Sequence, residues 1–533
     1  MENDFCWWRD GVIYQVYVRS FADGNGDGLG DLPGLISRLD YLRDLGVDAL
    51  WLSPIYPSPD VDFGYDVADH ATVDPRYGTP ADFDRLLAEA HRRGIRIVLD
   101  MVMNHTSDRH PWFLESRAGR ASARRDWYIW RDRPNNWKAV FGGSAWTRDP
   151  ASGQYYLHLF AAEQPDLNWR NPAVRAAQLE VFRSWLDRGV DGFRLDVFNA
   201  YFKDPALRNN PRKLGLRAFD RQRHLHDIDQ PEMGPLLREL RGLLDSYPQR
   251  YSVGETFLAS PARTVSYCGS QALHAAFSFD FTAAGPSFPW DPRWIARRVD
   301  ARDSVFDAAG AWPTTVMSNH DLPRAAGRYC DGEDDTQAKI AMALLLTLRG
   351  TPFLYYGEEI GMRDIRLRRR EILDPPGRRY WPFYRGRDGC RAPMQWDGSA
   401  NAGFSPAGSA RPWLPVHPDH ARRNVELQST DTGSLLSFTR GLIALRRQAP
   451  ALVRGDYTLL ASPPGTLAYL RSTPGQRVLA AMNFTRRKAV VHLDRAGELG
   501  RVLLSSRPER PGGTSSAVEL APGQVLLAEL NGG

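Results

Sequence analysis

Eight short apolar runs recur along this 533-residue chain, separated by stretches of helical periodicity, and this serial alternation limits the fold more than any other feature. The runs read GVIYQVYVRSF, VDALWLSP, IRIVLDMVMNH, VDGFRLDVF, YSVGET, HAAFSFDF, PTTVMSNHD and TPFLYYGEE. Helix-like segments lie between them, including Leu35–Leu45, Pro80–Arg93, Ala173–Arg188, Met233–Leu244 and Thr336–Leu348. In Ala81–Arg93 the residues Phe83, Leu86, Leu87 and Ala90 fall three or four apart, as on a helix that covers a sheet. About eight strand–helix units in series predict an α/β fold, a (β/α)8 TIM barrel.

Two stretches break the alternation. Residues 105–172 follow the third strand, lack barrel periodicity and are rich in Trp, Arg, Asn and Gly. That is far longer than an ordinary strand–helix loop, which predicts an inserted subdomain. Residues 358–420 form a second long stretch after the eighth strand. From about 455 the pattern turns to short alternating runs with turn signals, which predicts a C-terminal all-β domain, a β-sandwich. The expected division is a barrel from 1–104 and 173–454, a subdomain from 105–172 and a β domain from 455–533.

A hydrophobic content of 42% supports a sizeable core. The formal charge is +5, but 68 basic residues stand against 63 acidic ones and are scattered. The one dense basic run, Arg366–Arg370, reads as a solvated face, so no nucleic-acid partner is expected. The four cysteines are far apart and show no metal-type spacing, which suits a reducing compartment. MENDFCWWRDGVIY has no basic and then apolar leader, and no apolar run reaches bilayer length. These features predict a soluble, cytoplasmic protein with no membrane partner.

Three acids stand where strands end: Asp196 in GFRLDV, Glu255 in YSVGET and Asp321 in VMSNHD. Parallel barrels gather their chemistry at that rim, from several strands at once. Retaining glycoside hydrolysis needs one carboxylate as nucleophile and one carboxylic acid as proton donor, about 5–5.5 Å apart. Asp196 and Glu255 end neighbouring strands and can meet that spacing. Arg194 shares a strand face with Asp196 and is expected to keep it ionised, leaving Glu255 protonated. Asp321 is placed to steady the oxocarbenium-like charge. His105 and His320, also at strand ends, suit sugar hydroxyls; zinc is the other option for such histidines, but HExxH is absent.

DMVMNH (100–105), QPDLNW (164–169), GFRLDV (192–197), GET (254–256) and SNHD (318–321) resemble, in order, the signature regions of the alpha-amylase family, glycoside hydrolase family 13. The resemblance spans essentially the whole chain. It implies Asp196 as nucleophile, Glu255 as acid/base and Asp321 as transition-state stabiliser. It also implies that Asp66, His105, Arg194 and His320 hold the non-reducing glucose, that Arg324 closes the pocket, and that Tyr65 or Phe160 stacks on the ring. QVYVRSFADGNGDGLGDLPGL, TLRGTPFLYYGEEIGM and CRAPMQW look like the oligo-1,6-glucosidase and alpha-glucosidase branch. That branch implies release of α-glucose from the non-reducing end of short maltose- or isomaltose-type oligosaccharides, with transglucosylation alongside. Val197 after the nucleophile tilts toward α-1,6 bonds, although Phe198-Asn199-Ala200-Tyr201 departs from the branch's usual wording. The alternative is a glucosyl-transferring or isomerising relative such as a trehalose synthase or sucrose isomerase.

Asp23, Asn25, Asp27 and Asp31 form an oxygen-rich loop that begins like an EF-hand, but Gly34 stands where the closing Glu belongs. Relatives hold a Ca2+ or Mg2+ ion in this loop with a carbonyl at the position of Leu29. The ion is expected to be structural, and no cofactor is expected in catalysis.

Overall fold

The computed structural model describes residues 5–281, 290–330, 334–493, 496–507 and 512–531. All eight apolar runs contain a strand: β1 (Ile13–Val16), β2 (Ala49–Leu52), β3 (Arg96–Met101), β4 (Gly192–Leu195), β5 (Tyr251–Gly254), β6 (Ala275–Ala276), β7 (Thr314–Val316) and β8 (Thr351–Tyr355). They pair in the order β7-β8-β1-β2-β3-β4-β5-β6, each pair parallel. Side chains join the two end strands. Ser278 N–H donates to Thr314 Oγ1 at 3.0 Å, and Thr314 Oγ1–H donates to Ala276 O at 3.4 Å. The sheet thereby curls into a (β/α)8 barrel. Its strands are shorter than the apolar runs because the acid-bearing tails leave the ladder and build the rim.

Side-chain alternation splits the apolar residues into two layers. Ile13, Ala49, Trp51, Val98, Val253, Phe277, Val316 and Phe353 fill the barrel interior. Tyr14, Leu50, Leu52, Leu99, Phe193 and Leu195 point out into the larger core beneath the helices. Helix α1 (Pro80–Arg92) buries Phe83, Leu86, Leu87 and Ala90, and a capping box between Thr79 and Asp82 starts it. The expected helix Leu35–Leu45 is two, Leu32–Ser37 and Leu39–Leu45. The break falls at Arg38, whose guanidinium lies 4.3 Å from the Trp396 ring and donates to Gly403 O.

Between β3 and helix α2 (Pro172–Asp187) the inserted stretch forms three short antiparallel strands, Trp130–Arg131, Trp146–Arg148 and Tyr155–Leu157. Beyond Asp456 the described strands make a five-stranded and a three-stranded antiparallel sheet. Among the described residues no helix is long and apolar enough to cross a membrane.

Candidate active site

Arg194 stands at the centre of the rim. It projects into the barrel from β4, stacked 5.2 Å from the ring of Trp51. Its Nη1 donates to Asp100 Oδ1 at 2.6 Å and to Asp196 Oδ1 at 2.8 Å, while Nη2 donates to Glu255. One guanidinium therefore gathers the acids that end β3, β4 and β5. The backbone fixes the last two: Asp196 N–H donates to Met101 O at 3.0 Å and Glu255 N–H to Leu195 O at 2.9 Å.

Two local features aim these acids. Val197 has φ +32°, a left-handed conformation costly for a β-branched residue and typical of functional turns. There its backbone N–H favours the ionised form of Glu255, against burial. Gly254 admits no side chain, because a Cβ would meet Phe198 Cε1 at 2.3 Å. Phe198 thus packs directly against the strand end that carries Glu255.

Burial raises the pKa of Asp196 well above the usual carboxylate range; Arg194 opposes this, and Glu255, Asp100 and Asp321 reinforce it. Burial raises Glu255 as well, again against Arg194 and with Asp321 and Asp100 adding to it. Arg194 favours the ionised form of Asp196, as expected, but its one charge is shared among three carboxylates in a buried site. Three carboxylates on one guanidinium in a buried site favour a proton held among them, and Glu255 is the member that the reaction needs protonated.

Asp321 is the opposite case. Burial favours its neutral form, but Arg391 Nη2 at 2.9 Å and Arg387 Nη1 at 3.2 Å, both on Oδ1, carry its pKa far below normal, with His320 on the other oxygen. Burial also drops His320 to about 3, so its imidazole is neutral at pH 7. Gln15 meets its Nδ1 at 2.8 Å, and Tyr65 Oη meets its Nε2 at 2.7 Å with the two rings stacked. Tyr65 O–H lies 2.9 Å from Asp100 Oδ2, tying the two halves of the site together. His105 lies beneath Tyr65, 2.9 Å from its carbonyl, and Phe160 packs on the His105 ring at 5.2 Å.

Two expected residues stand apart. The Asp66 carboxylate is fully buried and taken up by Ser58 Oγ and the backbone N–H groups of Val61 and Asp62. Arg324 is also fully buried, donating to Tyr356 O at 2.6 Å and stacking on Tyr355 and Tyr356. Neither side chain is brought to the acid cluster. Asp62, four residues before Asp66, pairs with Arg387 Nη2 at 2.6 Å, and Arg387 and Arg391 both reach Asp321 Oδ1. Asp100, Arg387, Arg391 and Gln164, whose Nε2 lies 3.3 Å from Asp62 Oδ2 and 3.1 Å from His105 Nε2, are the further members that reading strand ends missed. Asp100 and Gln164 lie in DMVMNH and QPDLNW, and Arg391 in CRAPMQW, so motif membership was their available signal. Asp62 had none, being one of several Asp in SPDVDFGYD.

In the loop of Asp23, Asn25, Asp27, Leu29 and Asp31, the carboxylates accept backbone N–H groups. Asp23 takes those of Gly26 and Gly28, Asp27 that of Leu29, and Asp31 those of Gly24 and Gly34. The Leu29 side of the loop therefore enters through its N–H. Among the described residues no three His, Cys, Asp or Glu side chains gather as a metal-ligand group, so an ion in this loop would also draw on Asn25 and backbone carbonyls.

The catalytic-domain model of the alpha-amylase family matches residues 15–455. A probable alpha-glucosidase of Rhizobium meliloti is 42% identical over 92% of this chain and 92% of its own length. An oligo-1,6-glucosidase of Parageobacillus thermoglucosidasius is 40% identical over 91% and 92%. The crystal structure of an alpha-glucosyl transfer enzyme, XgtA, superposes with a TM-score of 0.92 at 40% identity, covering 99% of this chain and all of that one. With these matches and the carboxylate rim built on its barrel, the chain belongs to the alpha-amylase family of glycoside hydrolases.

Proposed function

We propose that the protein is a retaining, exo-acting α-glucosidase that removes single glucose units from short α-glucosides. The observation that carries this reading is the sharing of Arg194 between Asp196 and Glu255. Two carboxyl groups on one guanidinium favour the close spacing of about 5–5.5 Å used for direct attack, over the roughly 6.5–9.5 Å that admits a water. Asp196 attacks the anomeric carbon while Glu255 gives its proton to the departing oxygen. Glu255 then takes a proton from water, which releases α-glucose from Asp196. Asp321, held ionised by Arg387 and Arg391, stabilises the positive charge that develops on the ring.

Exo action is supported by the Asp62–Arg387–Asp321 chain of ion pairs. A continuous run of ion pairs beside Asp321 suits a pocket that takes a terminal sugar better than an open cleft. Transfer to a second sugar in place of water is the second reading, favoured by the likeness to an enzyme described as an alpha-glucosyl transfer enzyme. A structural Ca2+ or Mg2+ ion in the Asp23–Asp31 loop is also proposed. The donors are hard oxygens, and the charges of Asp23 and Asp27 add to burial in raising the Asp31 pKa, a repulsion that a cation relieves.

Rates on maltose, isomaltose, sucrose and trehalose, with proton NMR of the first product, test the assignment. α-Glucose appearing first from a terminal α-glucoside is expected; β-glucose overturns the retaining mechanism, and a sucrose isomer as main product overturns the hydrolytic one. Added Ca2+ is expected to raise the melting temperature above that in EDTA, and equal values remove the ion.

A further inference from the structure

The turn that follows Asp196 reaches the segment that carries the other catalytic acid. Three residues beyond Asp196, Asn199 is fully buried, and both ends of its amide bind the backbone of one residue. Its Oδ1 accepts the Phe257 N–H at 2.8 Å, and its Nδ2 donates to Phe257 O at 2.9 Å. Nδ2 also donates to Asp229 Oδ1 at 2.9 Å. Asp229 is fixed in turn, its N–H donating to Asn199 O at 2.7 Å and the Tyr267 hydroxyl donating to its Oδ1 at 2.7 Å. Its backbone stands at φ +56°, a conformation uncommon outside glycine and kept where the surroundings demand it.

Phe257 lies two residues after Glu255, whose own N–H is held on Leu195 O at 2.9 Å. Only Thr256 separates the two tethers, and it is buried, with Oγ1 3.0 Å from Thr264 Oγ1. A carboxamide suits this place because it offers a donor and an acceptor side by side, to span the N–H and C=O of one residue. An ionised Asp229 can only accept, which settles the end of the amide that donates.

We propose that Asn199 is a positioning residue for the proton donor: it ties the segment beyond Glu255 to the turn that carries Asp196, so the two acids keep their spacing. The role rests on the α-glucosidase reading and adds to it a residue that acts through backbone alone. A sugar leaving group needs a proton as its bond breaks, whereas fluoride departs with little help from an acid. A misplaced Glu255 therefore slows the first reaction and spares the second.

The test compares kcat/KM on the best disaccharide substrate with that on α-glucosyl fluoride, for wild type, Asn199→Ala, Asp229→Ala and Asp229→Asn. Asn199→Ala is expected to lose about 10²-fold on the disaccharide, the scale of a small misplacement of a catalytic group, and under about fivefold on the fluoride. Asp229→Ala gives the same selective loss in weaker form, because the amide of Asn199 is no longer fixed. Asp229→Asn keeps the acceptor and returns the disaccharide-to-fluoride ratio to within about threefold of wild type. If Asn199→Ala does not fold, the two Asp229 variants decide by the same ratio. A ratio that stays at the wild-type value in the folded variants, whether both rates fall together or neither falls, overturns the role and leaves Asn199 to packing. If wild type turns over neither substrate, the α-glucosidase reading fails and takes this role with it.

Discussion

At Arg194 a single positive charge faces Asp100, Asp196 and Glu255, and in a buried site that imbalance is met by keeping a proton. The proton is the one Glu255 must deliver. Glu255→Gln is expected to lower kcat about 10²–10⁴-fold on glucosides with poor leaving groups, the usual scale for a positioned acid. Because burial raises the Glu255 pKa, activity falls as pH rises through it, and the variant should lose that alkaline limb. A variant that keeps the limb places the acid elsewhere. Asp62 and Asp66 give a second residue-level test. Asp62→Asn breaks the pairing with Arg387 at the pocket edge and should lower kcat/KM by about tenfold or more, the scale of a charged hydrogen bond. Asp66→Ala should leave kcat/KM nearer wild type and instead cost about 1–3 kcal/mol, because buried N–H groups lose their acceptor. The reverse ranking in parallel kinetics and melts would return the sugar contact to Asp66.

Among the elements, the strand ends were the readable part and the turns after them were not. An acid following an apolar run shows in sequence, since strand periodicity puts Arg194 and Asp196 on one face. The left-handed turn at Val197 does not, because a β-branched residue is the last choice for that conformation. The turn after β8 holds Glu358, which accepts from Ser318 beyond β7 and from the Tyr355 N–H at 2.9 Å. It thereby ties the β8 turn to the segment that carries Asp321. Burial raises Glu358 to about 7. With the folded pKa above the unfolded value, its stabilising share is complete at low pH and is lost as pH rises through about 7. Glu358→Gln carries no charge to bury, so its melting temperature should gain on wild type between pH 6 and 8, by at most about 1.4 kcal/mol per pH unit. A constant difference across that range would sink the assignment.

The whole molecule joins its barrel to the C-terminal sheets through buried cations that face carbonyl oxygens. Arg471 Nη1 donates to Thr347 O and Leu452 O, and its Nη2 to Gly455 O. Arg446 caps Leu346 O, Leu452 O and Gly350 O. Burial lowers Arg471 to about 9, with the charge of Arg446 adding to the effect. Arg471→Ala should destabilise by roughly 3 kcal/mol, since it empties a buried volume and strands several carbonyls. Chemical denaturation measures the loss, and kcat/KM at room temperature should hold, because the joint lies away from the rim. By itself the sequence determined the barrel, through the order of its strands and helices, and the trio Asp196, Glu255 and Asp321, through their places at strand ends. Both are local patterns that a chain displays without being folded. Only the tertiary structure decided which charges meet: Asp62 over Asp66, Arg387 and Arg391 over Arg324, and a shared proton on the Arg194 cluster. Those outcomes depend on which loops the barrel brings together and on how much water it leaves between them, and neither quantity is written in any one stretch of chain.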